Sequence, residues 1–242
     1  MEIHLDSIDS TNNYAKEHVA SFAKDKITCV TAEEQTAGRG RFGRTWQSPR
    51  GVNIYATFCF CLPMQSMHLI SLSQVMAASF AKVLLDEGLH PKIKWPNDLL
   101  LNGKKLSGIL SETVFEKTGV QIFLGIGINV NMDKDALAHI DKPATSLQIE
   151  TGHPWDRNTL LKKLQVQFSR DLEKFKKAGF TPFHAFIENL LAFKGQTIRC
   201  FDGKKEWIGI CHSLTNDGQL NLYLPDKTMH TVLSGDTNPL RK

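Results

Sequence analysis

The sequence is short of cysteine, of excess charge and of long apolar runs, and each shortage excludes a class of protein. Its five cysteines are odd in number and match no zinc-binding spacing, and its nine histidines form no cluster with ligand spacing. No apolar run is long enough to cross a membrane, and the N-terminus lacks the basic and then apolar pattern of a signal peptide. These features predict a cytoplasmic protein with no membrane partner.

Net positive charge is also small over the chain as a whole. The formal net charge is only +4, which by itself does not indicate a protein that binds nucleic acid. Much of the positive charge is local, in a Gly-Arg segment and near the lysines of residues 92–105. A hydrophobic share of 41% supports a sizeable core, in one large domain or in a large and a small one.

The Gly-Arg segment is the most unusual stretch of the chain. Three glycines and three arginines alternate from Gly38 to Arg44, and Trp46 follows. Glycine lets backbone approach a ligand closely, and arginine offers paired donors to carboxylate or phosphate oxygens. Such a loop suits an anionic ligand with an aromatic ring, such as a nucleotide. Taken alone, the segment also fits a solvated basic turn or a single-stranded nucleic-acid contact.

Hydrophobic periodicity predicts an α+β fold in two parts. Strands are expected at 54–62 and 121–130, a long helix from Ser66 or Met67 to Gly88, and a tight hairpin at Asn102-Gly103. After residue 194 the pattern changes to short strands with tight turns, at 196–201, 205–213, 218–224 and 228–233. We therefore predict a catalytic domain over 1–194 and a small C-terminal β-barrel over 195–242.

The strand predicted at 121–130 has one apolar face and one face with gaps. Gly125 and Gly127 share the second face with Asn129, and missing side chains there admit a ligand or another backbone. A second polar stretch, Ser10 and Thr11, precedes a predicted helix. These residues fit a helix N-cap best, with ligand binding at the helix N-terminus as the alternative.

Four motifs occur together in an order that resembles the biotin–protein ligases. They are Gly-Arg-Gly-Arg-x-Gly-Arg-x-Trp (38–46), Lys-Trp-Pro-Asn-Asp (94–98), Lys-Leu-Ser-Gly-Ile-Leu (105–110) and Gly-Ile-Gly-Ile-Asn-Val (125–130). The resemblance covers nearly the whole chain. It implies a mixed sheet like that of class II aminoacyl-tRNA synthetases, followed by the small barrel.

The resemblance also implies a two-step reaction that needs ATP and magnesium. The carboxylate of biotin attacks the α-phosphate of ATP to give biotinyl-5′-AMP, and a lysine of an acceptor then displaces AMP. The expected acceptor is a biotin carboxyl carrier protein, and a homodimer is possible. The sequence begins directly at the catalytic domain, so no DNA binding is expected.

The resemblance assigns roles to residues at matching positions. The implied catalytic residues are Arg41, Lys105 and Asp98. The implied biotin-binding residues are Ser10, Thr11, Asn12, Gln35, Arg39, Gly40, Arg41, Lys105, Gly108, Gly125 and Gly127. The implied ATP-binding residues are Arg39, Arg41, Arg44, Trp46, Asn97, Lys105 and Asn129, with Trp46 stacked on adenine. No metal ligand is assigned.

Some alternatives stay open on the sequence. A lipoate–protein ligase shares the fold and chemistry, but it carries an Arg-Arg-x-Ser-Gly-Gly-Gly type of motif that is replaced here. A non-enzymatic nucleic-acid-binding protein would leave Gly125 and Gly127 unexplained. Without the motifs, Lys105 fits an exposed hairpin lysine, Trp95 fits a core residue, and Arg44 contacts either pyrophosphate or solvent.

Overall fold

A seven-stranded sheet forms the centre of the larger part of the chain. Its strands are β1 (Glu2–Ile8), β2 (Thr28–Gln35), β3 (Ile54–Leu62), β4 (Lys92–Lys94), β5 (Asp98–Leu101), β6 (Lys104–Glu116) and β7 (Gly119–Ile128). The computed structural model describes residues 1–64, 69–117 and 119–240, and orders these strands β1-β2-β3-β7-β6-β5-β4. Strands β1 and β2 are parallel and the other neighbours antiparallel. The predicted α+β class with a mixed sheet is confirmed.

Helices cover the two faces of this sheet unequally. They are α1 (Thr11–His18), α2 (Leu72–Asp86), α3 (Lys134–Ala138), α4 (Leu147–Thr151), α5 (Arg157–Ala178) and α6 (Thr181–Asn189). Helices α2 and α5 pack on one face, where alternate β7 residues such as Ile122 and Leu124 are fully buried. The opposite face carries α1, whose Ala15 packs against Phe123 in a smaller cluster. Beyond Phe123, this face of β7 continues with Gly125 and Gly127, next to the N-terminus of α1.

The β5–β6 hairpin confirms the turn predicted from sequence. Asn102 and Gly103 have φ values of 48° and 75°, the left-handed conformations that a two-residue turn between antiparallel strands requires. The hairpin brings Lys105 near the start of β6 and Asp98 at the start of β5 onto neighbouring strands. The Trp95-Pro96 peptide bond that precedes β5 is cis.

Helix α2 corrects one expectation about membranes. By length and composition alone, Leu69–Asp86 would be long and apolar enough to cross a membrane, with a mean hydropathy of 1.4. Of this segment, 72% is buried inside the fold, so its apolarity serves the core. The predicted helix start at Ser66 or Met67 falls outside the described residues, and α2 itself begins at Leu72.

The C-terminal sheet has one strand more than the sequence pattern suggested. It contains β8 (Thr197–Phe201), β9 (Glu206–Leu214), β10 (Leu220–Tyr223), β11 (Met229–Val232) and β12 (Asp236–Pro239), in the order β11-β10-β9-β8-β12. All of its neighbouring strands are antiparallel. Its buried side chains, including Ile198 and Leu222, belong to the same hydrophobic cluster as α2 and β7. The domain boundary at residue 194 stays a prediction.

A buried carboxylate between α2 and α5 gives a test of this packing. Asp171 has no exposed side-chain surface and accepts hydrogen bonds from Ser79, Lys82 and Gln167. Lys82→Met leaves that carboxylate without its counter-charge, so we expect the free energy of unfolding to fall by about 3 kcal/mol in urea titrations. Lys174→Met, at an exposed position of α5, is the matched control and should change stability by less than about 0.5 kcal/mol. Equal losses in both variants would contradict the assignment.

Candidate functional site

One cavity of about 1120 Å³ lies on the glycine-bearing face of the larger sheet, beside the C-terminal sheet. It is lined by every residue to which the resemblance assigned a role: Ser10, Thr11, Asn12, Gln35, Arg39, Gly40, Arg41, Arg44, Trp46, Asn97, Asp98, Lys105, Gly108, Gly125, Gly127 and Asn129. A second cavity, of about 440 Å³ beside Met1 and Gln165, contains none of them. The fold therefore brings the sequence-predicted residues together at one place.

The floor of the cavity consists of facing glycines. Gly108 on β6 is the cross-strand neighbour of Gly127 on β7, so two side chains are missing at one point. The chain's own side chains reach into the gap. A Cβ atom on Gly127 would lie 2.3 Å from Cε2 of Trp46, and one on Gly125 would lie 2.5 Å from Oδ1 of Asn12. The indole N–H of Trp46 is buried and has no hydrogen-bond partner among the described residues.

The Gly-Arg segment folds as a short hairpin over this floor. Gly40 N–H donates to the carbonyl of Arg44 and Trp46 N–H donates to that of Gly38, with a 3₁₀ turn at Arg41–Gly43. Gly38 is required by close approach, because a Cβ atom there would lie 2.5 Å from the Trp46 carbonyl oxygen. This hairpin fixes where the three arginines of the segment point.

The arginines contact three different parts of the molecule. Arg39 donates to Asn13 on α1. Arg41 donates to Asn97 at 3.2 Å and to the Gly235 carbonyl at 2.8 Å, which ties the hairpin to the C-terminal sheet. Burial lowers the pKa of Arg41, and the nearby carboxylates of Asp98 and Asp236 oppose that shift. Arg44 forms an ion pair with Asp236 at 2.7 Å.

Residues 94–98 divide between the core and the cavity. Trp95 is a core residue, as its sequence context allowed, and its indole N–H donates to the Gly218 carbonyl at 2.9 Å. Asn97 donates to the Ile109 carbonyl and accepts from Arg41, which orients its amide. Asp98 pairs with Lys105 across the β5–β6 hairpin at 2.7 Å. Lys105 is therefore held in the cavity by a carboxylate and is not a free hairpin lysine.

Asp236, the first residue of β12, is a site residue that the sequence analysis missed. Only 8% of it is exposed, and its carboxylate lies 2.7 Å from Arg44, 3.2 Å from Lys94 and 3.4 Å from Lys142. Burial acts to raise the pKa of Asp236, but the attraction of Lys94 and the hydrogen bond from Arg44 outweigh it and lower the pKa. No motif marks this residue, since its cations come from distant segments.

The start of α1 corrects the preference for a helix N-cap. Ser10 has the N-cap position, but its side chain makes no capping hydrogen bond. The backbone N–H of Thr11 donates instead to Oε1 of Gln35 at 2.9 Å, and Gln35 donates onward to Ser48 at 3.1 Å. The polar groups at this helix start therefore face the cavity and β2, and ligand binding there stays a prediction.

Two further polar residues at this end escaped the sequence analysis. Thr57 is fully buried on β3 and bonds to Asn12 and Thr11, and Glu112 on β6 accepts from Asn12 at 2.8 Å. A threonine inside the apolar run of β3 was the available signal for Thr57. At the other end of the floor, the buried Asn129 donates to the Thr145 carbonyl.

The depressed pKa of Asp236 generates a prediction about stability and pH. Asp236→Asn leaves the largely buried Lys94 without a carboxylate, so we expect a loss of about 3 kcal/mol in the free energy of unfolding at pH 7. Because the folded pKa is lowered, the contribution of Asp236 is complete above its ordinary pKa of 3.8 and declines as the pH falls below it. Urea titrations at pH 7 and pH 3 measure both effects. Asp86→Asn, exposed at the end of α2, is the control, and a loss independent of pH would contradict the ion-pair explanation.

Comparisons with known proteins identify the family. The model of the Biotin/lipoate A/B protein ligase family matches residues 4–129. The bifunctional ligase/repressor BirA of Escherichia coli K12 is 38% identical over 221 residues, which cover 90% of this chain and 68% of BirA. The biotin–[acetyl-CoA-carboxylase] ligase of Paracoccus denitrificans is 35% identical over 81% of this chain and 84% of its own length.

A solved structure supports the same conclusion. The biotin protein ligase of Aquifex aeolicus in complex with biotin and ATP superposes with a TM-score of 0.82, at 30% identity, covering 100% of this chain and 99% of that one. These relatives favour neither of the two alternatives, a lipoate–protein ligase or a non-enzymatic nucleic-acid-binding protein. The chain belongs to the biotin/lipoate A/B protein ligase family and is, within it, a biotin–protein ligase and therefore an enzyme.

Proposed function

We propose that the cavity binds biotin and ATP side by side and joins them before the biotinyl group passes to an acceptor lysine. One observation carries this proposal: every residue to which the resemblance assigned a role lines the same cavity, with a glycine floor and cationic walls. The similarity to a ligase solved with biotin and ATP supports the choice of ligands. The residue roles below are proposals.

Biotin has one end rich in hydrogen-bonding groups and one carboxylate end, and the cavity has an uncharged polar end and a cationic end that match them. We assign the ureido ring to the end formed by Ser10, Thr11, Asn12 and Gln35, with Arg39 and Gly40 closing over it. The rest of the molecule then lies over the face of Gly108, Gly125 and Gly127, against the Asn12 and Trp46 side chains that cover these glycines. The biotin carboxylate points toward Lys105, whose Nζ lies 5.3 Å from the Trp46 ring centroid.

The first step brings two anions together, so fixed positive charge is the main requirement. An oxygen of the biotin carboxylate forms a bond to the α-phosphorus of ATP, and the bond from that phosphorus to the β-phosphate oxygen breaks. The products are biotinyl-5′-AMP and pyrophosphate. Lys105 and Arg41 stabilise the charge at the α-phosphate, and Arg39 lies on the biotin side. Arg44 faces the departing pyrophosphate.

The second step uses the carboxylate of Asp98, which is paired with Lys105 during the first step. The amine of the acceptor lysine attacks the acyl carbon of the mixed anhydride, and AMP leaves with the bridging oxygen. Asp98, which holds Lys105 at 2.7 Å, can instead hold the incoming lysine. Both partners are primary amines, so the same acceptor oxygens serve each. Asn97 and Asn129 contact the nucleotide.

In this proposal, magnesium is bound only by the phosphates of ATP. The described residues contain no group of three His, Cys, Asp or Glu side chains that could hold a metal ion. The carboxylates of Asp98 and Asp236 are already paired with cations. Within the described part of the chain, therefore, no residues form a magnesium cage.

The acceptor follows from the relatives. Names such as biotin–[acetyl-CoA-carboxylase] ligase indicate a carboxylase subunit, so we propose a biotin carboxyl carrier protein as the partner. A homodimer, the absence of DNA and membrane binding, and a cytoplasmic location are further proposals.

Lys105 provides the direct test of the first step. The wild-type protein incubated with biotin, ATP and magnesium should contain bound biotinyl-5′-AMP by mass spectrometry. Lys105→Ala removes a fixed cation at the reacting phosphate, so we expect biotin-dependent ATP–pyrophosphate exchange to fall about 100-fold. Lys104→Ala, at the exposed preceding position, is the matched control. Wild-type exchange in Lys105→Ala would remove Lys105 from the mechanism.

Trp46 tests where the nucleotide lies. Stacking of a base on an aromatic ring contributes about 1–3 kcal/mol. Trp46→Ala should therefore lower the affinity for ATP about tenfold in calorimetric titrations, and lower the affinity for biotin by less. Trp46→Phe keeps a flat ring and should retain part of the affinity. The indole also covers Gly127. A larger loss for biotin than for ATP would therefore move Trp46 from the nucleotide to the biotin side.

A further inference from the structure

A chain of polar side chains runs behind the end of the cavity that we assign to the ureido ring. Glu112 on β6 accepts a hydrogen bond from Nδ2 of Asn12 at 2.8 Å. Oδ1 of Asn12 lies 2.6 Å from Oγ1 of Thr57, and that oxygen lies 2.8 Å from Oγ1 of Thr11. Thr57 is fully buried on β3, opposite Gly125 on β7. Thr11 is the last member of this hydrogen-bond chain and lines the cavity.

The first link of this chain has only one possible direction. An ionised carboxylate has no hydrogen to donate, so Asn12 must turn its NH₂ group toward Glu112 and its oxygen toward Thr57. Burial alone would raise the pKa of Glu112. The hydrogen bonds from Asn12 and Lys16, together with the nearby charges of Lys16 and Arg39, lower it instead and keep the carboxylate ionised near neutral pH.

The remaining links follow from counting hydrogens. Oδ1 of Asn12 can only accept, so the single hydroxyl hydrogen of Thr57 must point to it. The contact between Thr57 and Thr11 then needs the hydrogen of Thr11. Every donor in the chain therefore points inward, away from the cavity and toward Glu112.

Thr11 consequently has no hydrogen left for the cavity. The other acceptor within reach of its Oγ1 is Oε1 of Gln35 at 3.2 Å, farther than the 2.8 Å contact with Thr57, and Gln35 already accepts the backbone N–H of Thr11 at 2.9 Å. With either partner, the hydrogen of Thr11 stays inside the protein. Two oxygens that can only accept thus lie side by side at the cavity wall. An N–H group from a ligand can satisfy both, whereas a ligand oxygen would be repelled by both.

We propose that Glu112 and Thr57 are positioning residues that set the direction of this hydrogen-bond chain, so that Thr11 presents an acceptor and selects a ligand N–H. The proposal deepens the function proposed above and rests on it, because the ureido ring of biotin carries two N–H groups. Neither Glu112 nor Thr57 lines the cavity, and both act through Asn12 and Thr11.

Variants in which the direction of the hydrogen-bond chain is no longer fixed should lower the affinity for biotin and leave that for ATP unchanged. Thr57→Val removes the central hydroxyl, so the Thr11 hydrogen is no longer held inward and can turn to Gln35 or into the cavity. Glu112→Gln supplies an amide that accepts or donates, so neither direction is enforced. We expect the KM for biotin in pyrophosphate exchange to rise about tenfold in each variant, with the KM for ATP unchanged. Thr57→Ser keeps the hydroxyl and should restore the KM for biotin toward the wild-type value.

A pair of biotin analogues tests the direction itself. Each replaces one ureido N–H by a ring oxygen, giving the two possible cyclic carbamates. The wild-type protein should bind at least one of them about tenfold more weakly than biotin, because an oxygen would face two acceptors. That ratio should shrink in Thr57→Val and Glu112→Gln, and persist in Thr57→Ser. A merely structural role for these residues would lower stability without changing the ratio.

The controls separate this inference from the function on which it rests. Glu116→Gln changes another carboxylate of β6, one that pairs with Lys24 outside the cavity, and should alter neither KM. Absence of biotinyl-5′-AMP in the wild-type protein would refute the proposed function. Normal adenylate formation, combined with an unchanged KM for biotin and unchanged analogue ratios in both Thr57→Val and Glu112→Gln, would overturn the inference alone.

Discussion

Mutual repulsion among the cations that line one cavity is the constraint on which this structure depends. The chemistry needs several positive groups within reach of one phosphate, yet such groups do not gather by themselves. The fold resolves this with carboxylates that are partly or largely withdrawn from water. Asp236 holds Arg44 and Lys94, and Asp98 holds Lys105. Each cation is thereby fixed before a ligand arrives, which is the condition for electrostatic stabilisation without reorganisation.

The same carboxylates explain why the C-terminal sheet belongs to the site. Strand β12 begins with Asp236, and the residue before it, Gly235, accepts a hydrogen bond from Arg41. The Gly-Arg hairpin is therefore held between the larger sheet, where Trp46 covers Gly127, and the C-terminal sheet. A role for that sheet in holding Arg41 and Arg44 follows from these contacts, although no motif in the sequence marks its last strand.

Features that depend on near neighbours in the sequence were predictable. The alternation of β7, the Asn102-Gly103 hairpin and the gap at Gly125 and Gly127 follow from local rules of backbone and periodicity. The motifs placed their residues on one cavity because each motif lies at a strand end or on a glycine-bearing face. Short β12, which ends in Pro239, gave too weak a pattern to be recognised.

Features that depend on distant partners were not predictable. Asp236 is important because it forms ion pairs with Arg44 and Lys94, which lie far away in the sequence. Ser10 has the sequence signature of a helix cap, but tertiary contacts turned the polar groups at this helix start toward β2. The contact of Trp46 with Gly127 could not be predicted from the sequence either, because a missing side chain predicts a gap but not what occupies it.

The two ends of the cavity differ in electrical character, and that difference can orient a substrate before any bond is made. With the hydrogen-bond direction proposed above, one end presents acceptor oxygens from Thr11 and Gln35, and the charge of Glu112 lies behind them. The other end presents the donors of Arg41 and Lys105. A molecule with N–H groups at one end and a carboxylate at the other fits in one direction only, since reversal would set its carboxylate against acceptors and its N–H groups against cations. Orientation and charge stabilisation therefore come from the same arrangement of fixed hydrogens, which makes the direction of hydrogen bonds as important to this site as the identity of its residues.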